Sequence, residues 1–277
     1  MKNMQGTWAV ITGASSGIGE EYARQLAAQG LNLFLVARRE ERLKKLQQDL
    51  QLKFKISVEY LARDLKEEAS WKEVFNSATT GRKIQVLINN AGIGFYGPFH
   101  FSGVEEHLNT VRLNTLSLTA LCYYFSAHML EHQLPSYITN VASIAAYQTV
   151  PKFGVYSGSK KFVKDLSDTL HFELRKTNIS VTTLSPGGTY TEFMDQAGQV
   201  LKQSAHAFMM SAKEVAAQGI QGMWSRKREI IPGFFNKLVA FLSRLIPDGP
   251  ELCINSFFFE KSVGHVSDKE KETAKLT

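Results

Sequence analysis

The stretch Thr7-Trp-Ala-Val-Ile-Thr-Gly-Ala-Ser-Ser-Gly-Ile-Gly19 decides the fold. Residues 7–12 form a short β-rich run. It hands over to the glycine cluster Gly13-Ala14-Ser15-Ser16-Gly17-Ile18-Gly19, which opens an amphipathic segment ending at Gly30. A strand that turns sharply into a helix needs glycine, and the helix start beyond it presents unpaired N–H groups and a partial positive charge. Such a turn suits a pyrophosphate. Working outward, 31–36 is a second apolar strand, and 40–53 places Leu43, Leu46 and Leu50 on one helical face. Residues 56–61, 84–88, 136–141 and 179–184 read as four further strands, with 229–231 as a seventh, and helical patterns fill the gaps. Strands with continuous apolar runs, alternating with helices, predict an α/β fold: one Rossmann-like, doubly wound parallel sheet covered on both faces.

No internal repeat or Pro/Gly/Ser-rich linker divides the chain. We therefore expect one domain over 1–233 with a substrate loop at 190–213, an amphipathic extension over 234–263, and a disordered polar tail over 264–277. With 44% hydrophobic and 21% charged residues among 277, the chain can bury a sizeable core. The net charge of +6 is spread through mixed runs such as Arg38-Arg39-Glu40-Glu41-Arg42, so no nucleic-acid partner is expected. A mild positive bias suits an anionic cofactor. Cys122 and Cys253 lack metal or redox spacing and read as buried thiols, so no metal is expected. The most apolar long segment, 115–130, carries Ser117, Ser126 and His128, and falls short of the ~20 apolar residues of a membrane span. No signal peptide is read ahead of the first apolar run, and a cytoplasmic location is expected.

Tyr156-Ser-Gly-Ser-Lys160 is the most informative segment for chemistry. Four residues apart on a helix, the two side chains share a face. A free phenol has a pKa near ~10, too high for efficient proton transfer at neutral pH, and a fixed ammonium nearby lowers it. The same lysine has further donors for the hydroxyls of a bound ligand.

The spacing Gly13-x-x-x-Gly17-x-Gly19, the run Asn89-Asn90-Ala91-Gly92, Asn114 in Arg112-Leu-Asn-Thr115, Ser143 and Tyr156-x-x-x-Lys160 together resemble the short-chain dehydrogenase/reductase family. The resemblance covers residue 7 to about 233. It implies that Ser143 holds a substrate carbonyl oxygen, that Tyr156 protonates it as hydride arrives, and that Asn114 holds a water relaying protons to Lys160. It also implies that Ile18 and the glycine loop face the cofactor phosphates, that Asn90, Ala91 and Gly92 line the adenosine side, and that Asp64 meets the adenine. Pro186-Gly187-Gly188-Thr189-Tyr190-Thr191 resembles the turn that closes over the nicotinamide, with Thr189 at the carboxamide and Thr191 at the phosphates. Ile231-Pro232-Gly233 with the helix that follows resembles a branch of 17β-hydroxysteroid and long-chain 3-ketoacyl reductases.

The end of the second strand selects the cofactor. Enzymes using NAD generally carry an acid there for the ribose hydroxyls, whereas this chain reads Val36-Ala37-Arg38-Arg39. A guanidinium offers a planar fork of donors for a phosphate. Arg38, helped by Ser15 or Ser16, is expected to meet the 2′-phosphate of NADP(H), and Arg39 to be a surface residue at a helix start. Phe95, Tyr96, Phe99, Phe193, Phe208, Met209 and Met210 flank the expected active-site mouth and suit a hydrophobic ketone or alcohol, or else pack loops onto the core. Phe234, Phe235, Leu238, Phe241, Leu242 and Leu245 recur at helical spacing; this helix over 234–246 either packs on its own domain or another subunit, or touches a membrane surface. A homodimer or homotetramer is implied by the resemblance. The alternative function is a catalytically idle NADP-binding regulator, which would have no need of a tuned phenol.

Overall fold

Alternate residues of each central strand feed opposite faces of one sheet, as the pleat requires. In β1 (Trp8–Thr12) and β2 (Asn32–Ala37), Ala9, Ile11, Leu33 and Leu35 enter one core, while Val10, Phe34 and Val36 enter the other. The computed structural model describes residues 4–100, 103–201, 209–246, 250, 252 and 263–265. The sheet continues with β3 (Val58–Ala62), β4 (Ile84–Asn89), β5 (Ser136–Val141) and β6 (Ile179–Leu184). Two short pairs stand apart from it: β7 (Thr189–Tyr190) with β9 (Met210–Ser211), and β8 (Gln199–Leu201) with β11 (Val263–His265). With β10 (Glu229–Ile230) at its edge, the main sheet is parallel throughout in the order β3-β2-β1-β4-β5-β6-β10. This is the doubly wound sheet that the strand pattern predicts.

One face is covered by α1 (Gly17–Ala28), α2 (Glu40–Phe54) and α8 (Ala212–Trp224), through Tyr22, Leu26, Leu43, Leu50, Val215 and Ile220. The other carries α3 (Glu68–Thr79), α5 (Leu118–His132) and α6 (Gly154–Glu173), through Val74, Leu121, Phe125 and Val163. Gly30 ends α1 with φ +83°, a left-handed position that glycine takes at little cost. Ser211 and Glu214 cap α8 reciprocally, each side chain accepting from the other's backbone N–H. Between α4 (Val104–Val111) and α5 the helix continues through one π-helical stretch, Arg112–Ser117, which carries Asn114. Two further helices, α7 (Phe193–Gln196) and α9 (Phe234–Ser243), lie beyond the carboxyl ends of the strands. Among the described residues no helix is long and apolar enough to cross a membrane.

Candidate active site

Strand order reverses between β1 and β4, and the chains leaving their carboxyl ends part to leave a crevice. A cavity of about 740 Å³ begins there and extends across the ends of β4, β5 and β6 to α9. The crevice is stitched by polar contacts: Thr12 Oγ1 accepts from the N–H groups of Asn90 (3.0 Å) and Ala91 (3.1 Å), and Asn90 Nδ2 donates to Thr12 O (3.0 Å). Gly13 has φ +66°, and a Cβ there would lie 2.9 Å from the Ala91 Cα, so the close approach of the two loops depends on glycine. Gly13, Ser15, Ser16, Gly17, Ile18, Asn90, Ala91 and Gly92 all face the cavity. Gly19 does not; it is buried beneath the loop against Gly13 and Asn90. A backbone cradle that side chains would fill, set at a helix start, fits a pyrophosphate.

At the end of β2, Arg38 faces the cavity and approaches Asp64 at 4.0 Å, while Asp64 also pairs with Lys66 at 3.3 Å. Arg39 stands at the start of α2, as expected, and its side chain is partly exposed but not free in solvent. Its guanidinium turns across the glycine loop, where Nη2 donates to Ser16 Oγ (2.7 Å), Nε to Ser15 Oγ (3.2 Å) and Nη1 to Glu192 Oε2 (2.5 Å). Arg39 thus joins the two serines of the glycine loop, while Arg38 lines the cavity beside it. Arg63 adds a third guanidinium to this end of the cavity.

The middle of the cavity holds the proton-transfer candidates. Ser143 starts a short 3-10 turn, Ile144–Tyr147, where its Oγ accepts from the Ala145 N–H (3.1 Å), and it hydrogen-bonds with the Tyr156 phenol. Tyr156 and Lys160 are both buried on α6. Phe153 stacks on Tyr156 with centroids 4.3 Å apart, and Lys160 Nζ lies 5.7 Å from the centre of the phenol ring while donating to Val141 O (2.8 Å). Asn114 sits behind them, off the cavity wall: its Oδ1 accepts from the Ile93 N–H (3.0 Å), and its Nδ2 donates to Ile93 O (2.9 Å) and Ser159 Oγ (2.9 Å). Lys160 and Asn114 converge over Gly92, where a Cβ would lie 3.2 Å from Nζ and 3.3 Å from Oδ1. Only a residue without a side chain keeps that gap open.

The same dry surroundings shift both titrating groups. Burial pushes the Tyr156 phenol up to about 12, and the hydrogen bond with Ser143 works in the opposite direction. Burial pulls the Lys160 ammonium down to about 8. The sequence reading expects the ammonium to make the phenol more acidic; in the protein alone, burial dominates and makes it less acidic. The outcome is a reluctant acid beside a weakened cation, each shifted toward its neutral form.

At the far end, Pro186, Gly187, Gly188, Thr189 and Thr191 border the cavity together with Phe193, Met194 and Met209. Of the aromatic and methionine residues singled out in the sequence, Phe193 and Met209 line the wall. Tyr96 instead packs beneath it with Phe153 and Tyr156, Phe99 stacks on His107, and Met210 pairs in β9. Phe208 lies outside the described residues. The rest of the wall comes from α9, through Phe235, Leu238, Val239 and Leu242, with Asn236 seated against Gly187. That helix therefore packs on its own domain. Sequence periodicity marks its apolar face but gives no sign that the face closes this site. Among the described residues no cluster of His, Cys, Asp and Glu could hold a metal.

Fold and site together define a dinucleotide-binding oxidoreductase. The short chain dehydrogenase model matches residues 7–201, well over half of the chain, and the chain belongs to that family. It is similar to the very-long-chain 3-oxoacyl-CoA reductase of Rattus norvegicus, 30% identical over 75% of this chain and 67% of that protein. It is also similar to the 17-beta-hydroxysteroid dehydrogenase type 3 of Mus musculus, 28% identical over 84% of this chain and 76% of that protein. Among solved structures, a short-chain dehydrogenase from Sphingobium yanoikuyae in complex with NADPH superposes with a TM-score of 0.77 at 29% identity, covering 88% of this chain and 97% of that one.

Proposed function

We propose that this chain is an NADP(H)-dependent enzyme that interconverts a hydrophobic ketone and its secondary alcohol, with Tyr156 as general acid and base. The observation that carries the reading is the buried Ser143–Tyr156–Lys160 cluster, backed by Asn114, in the middle of one cavity with unlike ends. One end gathers Arg38, Arg39 and Arg63; the other is walled by Phe193, Met194, Met209, Leu238 and Leu242. The NADPH of the solved neighbour and the oxoacyl and hydroxysteroid names of the relatives support the same reading.

Bound NADPH supplies the hydride. Tyr156 gives its proton to the carbonyl oxygen, and Ser143 donates a hydrogen bond to that oxygen as negative charge builds on it. Lys160 makes loss of the phenol proton less costly, because a positive charge favours the phenolate. The gap over Gly92 gives a water room to bridge Asn114 and Lys160 and return a proton. In oxidation the phenolate accepts the alcohol proton and the order reverses. Arg39, Ser15 and Ser16 hold the 2′-phosphate together with Arg38, and Ala37 stands at the end of β2 where an acid would bind the ribose hydroxyls instead.

The test is catalytic efficiency with NADPH and with NADH across a panel of lipophilic ketones. NADPH is expected to be favoured, and Arg38→Asp to lower its efficiency by ~10- to 100-fold, as loss of a charge-assisted phosphate contact requires. An enzyme that prefers NADH from the outset contradicts the cofactor assignment. NADPH binding without turnover on any ketone contradicts the catalytic one and favours the idle regulator.

A further inference from the structure

Three consecutive residues after β7 reach three different walls of the cofactor groove. Thr191 rests on the glycine loop, since a Cβ at Gly17 would lie 2.8 Å from Thr191 Cγ2. Glu192 spreads its carboxylate over two arginines of the β2–α2 junction: Oε2 accepts from Arg39 Nη1 and Oε1 from Arg42 Nη1, each at 2.5 Å. Phe193 lies against Tyr156 with ring centroids 5.3 Å apart. Thr191, Phe193 and Arg39 border the cavity, whereas Glu192 and Arg42 do not. The carboxylate thus grips from outside the groove, while its neighbours in sequence close over it. A carboxylate close to a phosphate-binding arginine works against the phosphate by simple charge, so its presence calls for an offsetting role.

We propose that Glu192 is a positioning residue that clasps the 191–193 segment over the bound dinucleotide by holding Arg39 and Arg42 with one carboxylate. The proposal rests on the nucleotide reading above and deepens it. With the clasp closed, a dinucleotide under Thr191 leaves only when this segment lifts. Loss of the clasp therefore acts on the dissociation rate of the whole nucleotide, whichever ribose it carries. Each ion pair is partly exposed and individually weak, but both must open together for the segment to lift.

The experiment measures Kd and stopped-flow dissociation rates for NADPH and NADH, followed by nicotinamide fluorescence, in the full chain and in Glu192→Gln and Arg42→Gln. The two substitutions remove opposite charges. A clasp predicts the same sign for both: dissociation faster by ~3- to 10-fold, by a similar factor for NADPH and NADH. A pure charge effect predicts opposite signs, with Glu192→Gln tightening NADPH, Arg42→Gln weakening it and NADH little changed. That pattern, or unchanged rates in both variants, overturns the proposal. A wild-type enzyme that binds NADH more tightly than NADPH would sink the cofactor assignment alone, since the common factor is still read on NADH.

Discussion

Lys160 is held where its charge is useful and costly at once. Its ammonium sits in a dry pocket with a pKa near 8, against 10.5 when free. Between those two values the unfolded chain binds a proton that the folded chain does not, so stability rises with pH across that window, and the full penalty applies below about 8. Lys160→Met is accordingly expected to raise stability at pH 7, by on the order of 1–3 kcal/mol, while removing turnover; denaturant melts should show the gain shrinking toward pH 10. Ketone reduction by the unaltered enzyme should fall as pH rises through about 8, where the ammonium that favours the phenolate is lost. A reduction rate flat across that range would contradict the role given to Lys160. The Tyr156–Lys160 pair is legible in sequence because four residues on a helix fix a shared face. The turn of Arg39 is not: its direction depends on Ser16 and on Glu192, which lies 153 positions away, and no local pattern records that.

Strands are the most legible elements. The readings at 136–141 and 179–184 coincide with β5 and β6, whose residues are buried throughout. The third strand begins two residues later than 56 because α2 ends at Lys55 in a left-handed conformation, and Ile56 and Ser57 turn the chain back to the sheet. The π-helical stretch at Arg112–Ser117, which sets Asn114 facing Ile93 and Ser159, escapes a sequence reading because no residue type or spacing marks an i→i+5 turn inside a helix. The same limit applies to α9, whose amphipathic period is plain but whose partner is a cavity assembled from distant loops. If α9 is the substrate wall, Leu238→Trp should narrow the site. Its kcat/KM should drop by ~10-fold or more for bulky ketones and change little for small ones, and equal losses on both would contradict that placement.

At the scale of the molecule, α4, the π-helical stretch, α5 and α6 expose apolar surface at Val104, Leu108, Leu116, Tyr123, Phe162 and Phe172. A second copy of the chain is expected to cover it, giving twice the 31.0 kDa chain mass by light scattering, with Tyr123→Asp shifting the mass toward one chain. A single-chain mass for the unaltered protein would contradict this. In the proposed function, the sheet, the crevice and the buried cluster serve one end: to bring a phenol and a nicotinamide to the same carbonyl. Single-turnover oxidation of bound NADPH by a lipophilic ketone, compared between the unaltered enzyme and Tyr156→Phe, tests this most directly. Loss of Tyr156 should slow the step at least ~100-fold with NADPH affinity held within about threefold. Near-normal oxidation of NADPH by the phenylalanine variant would contradict the account.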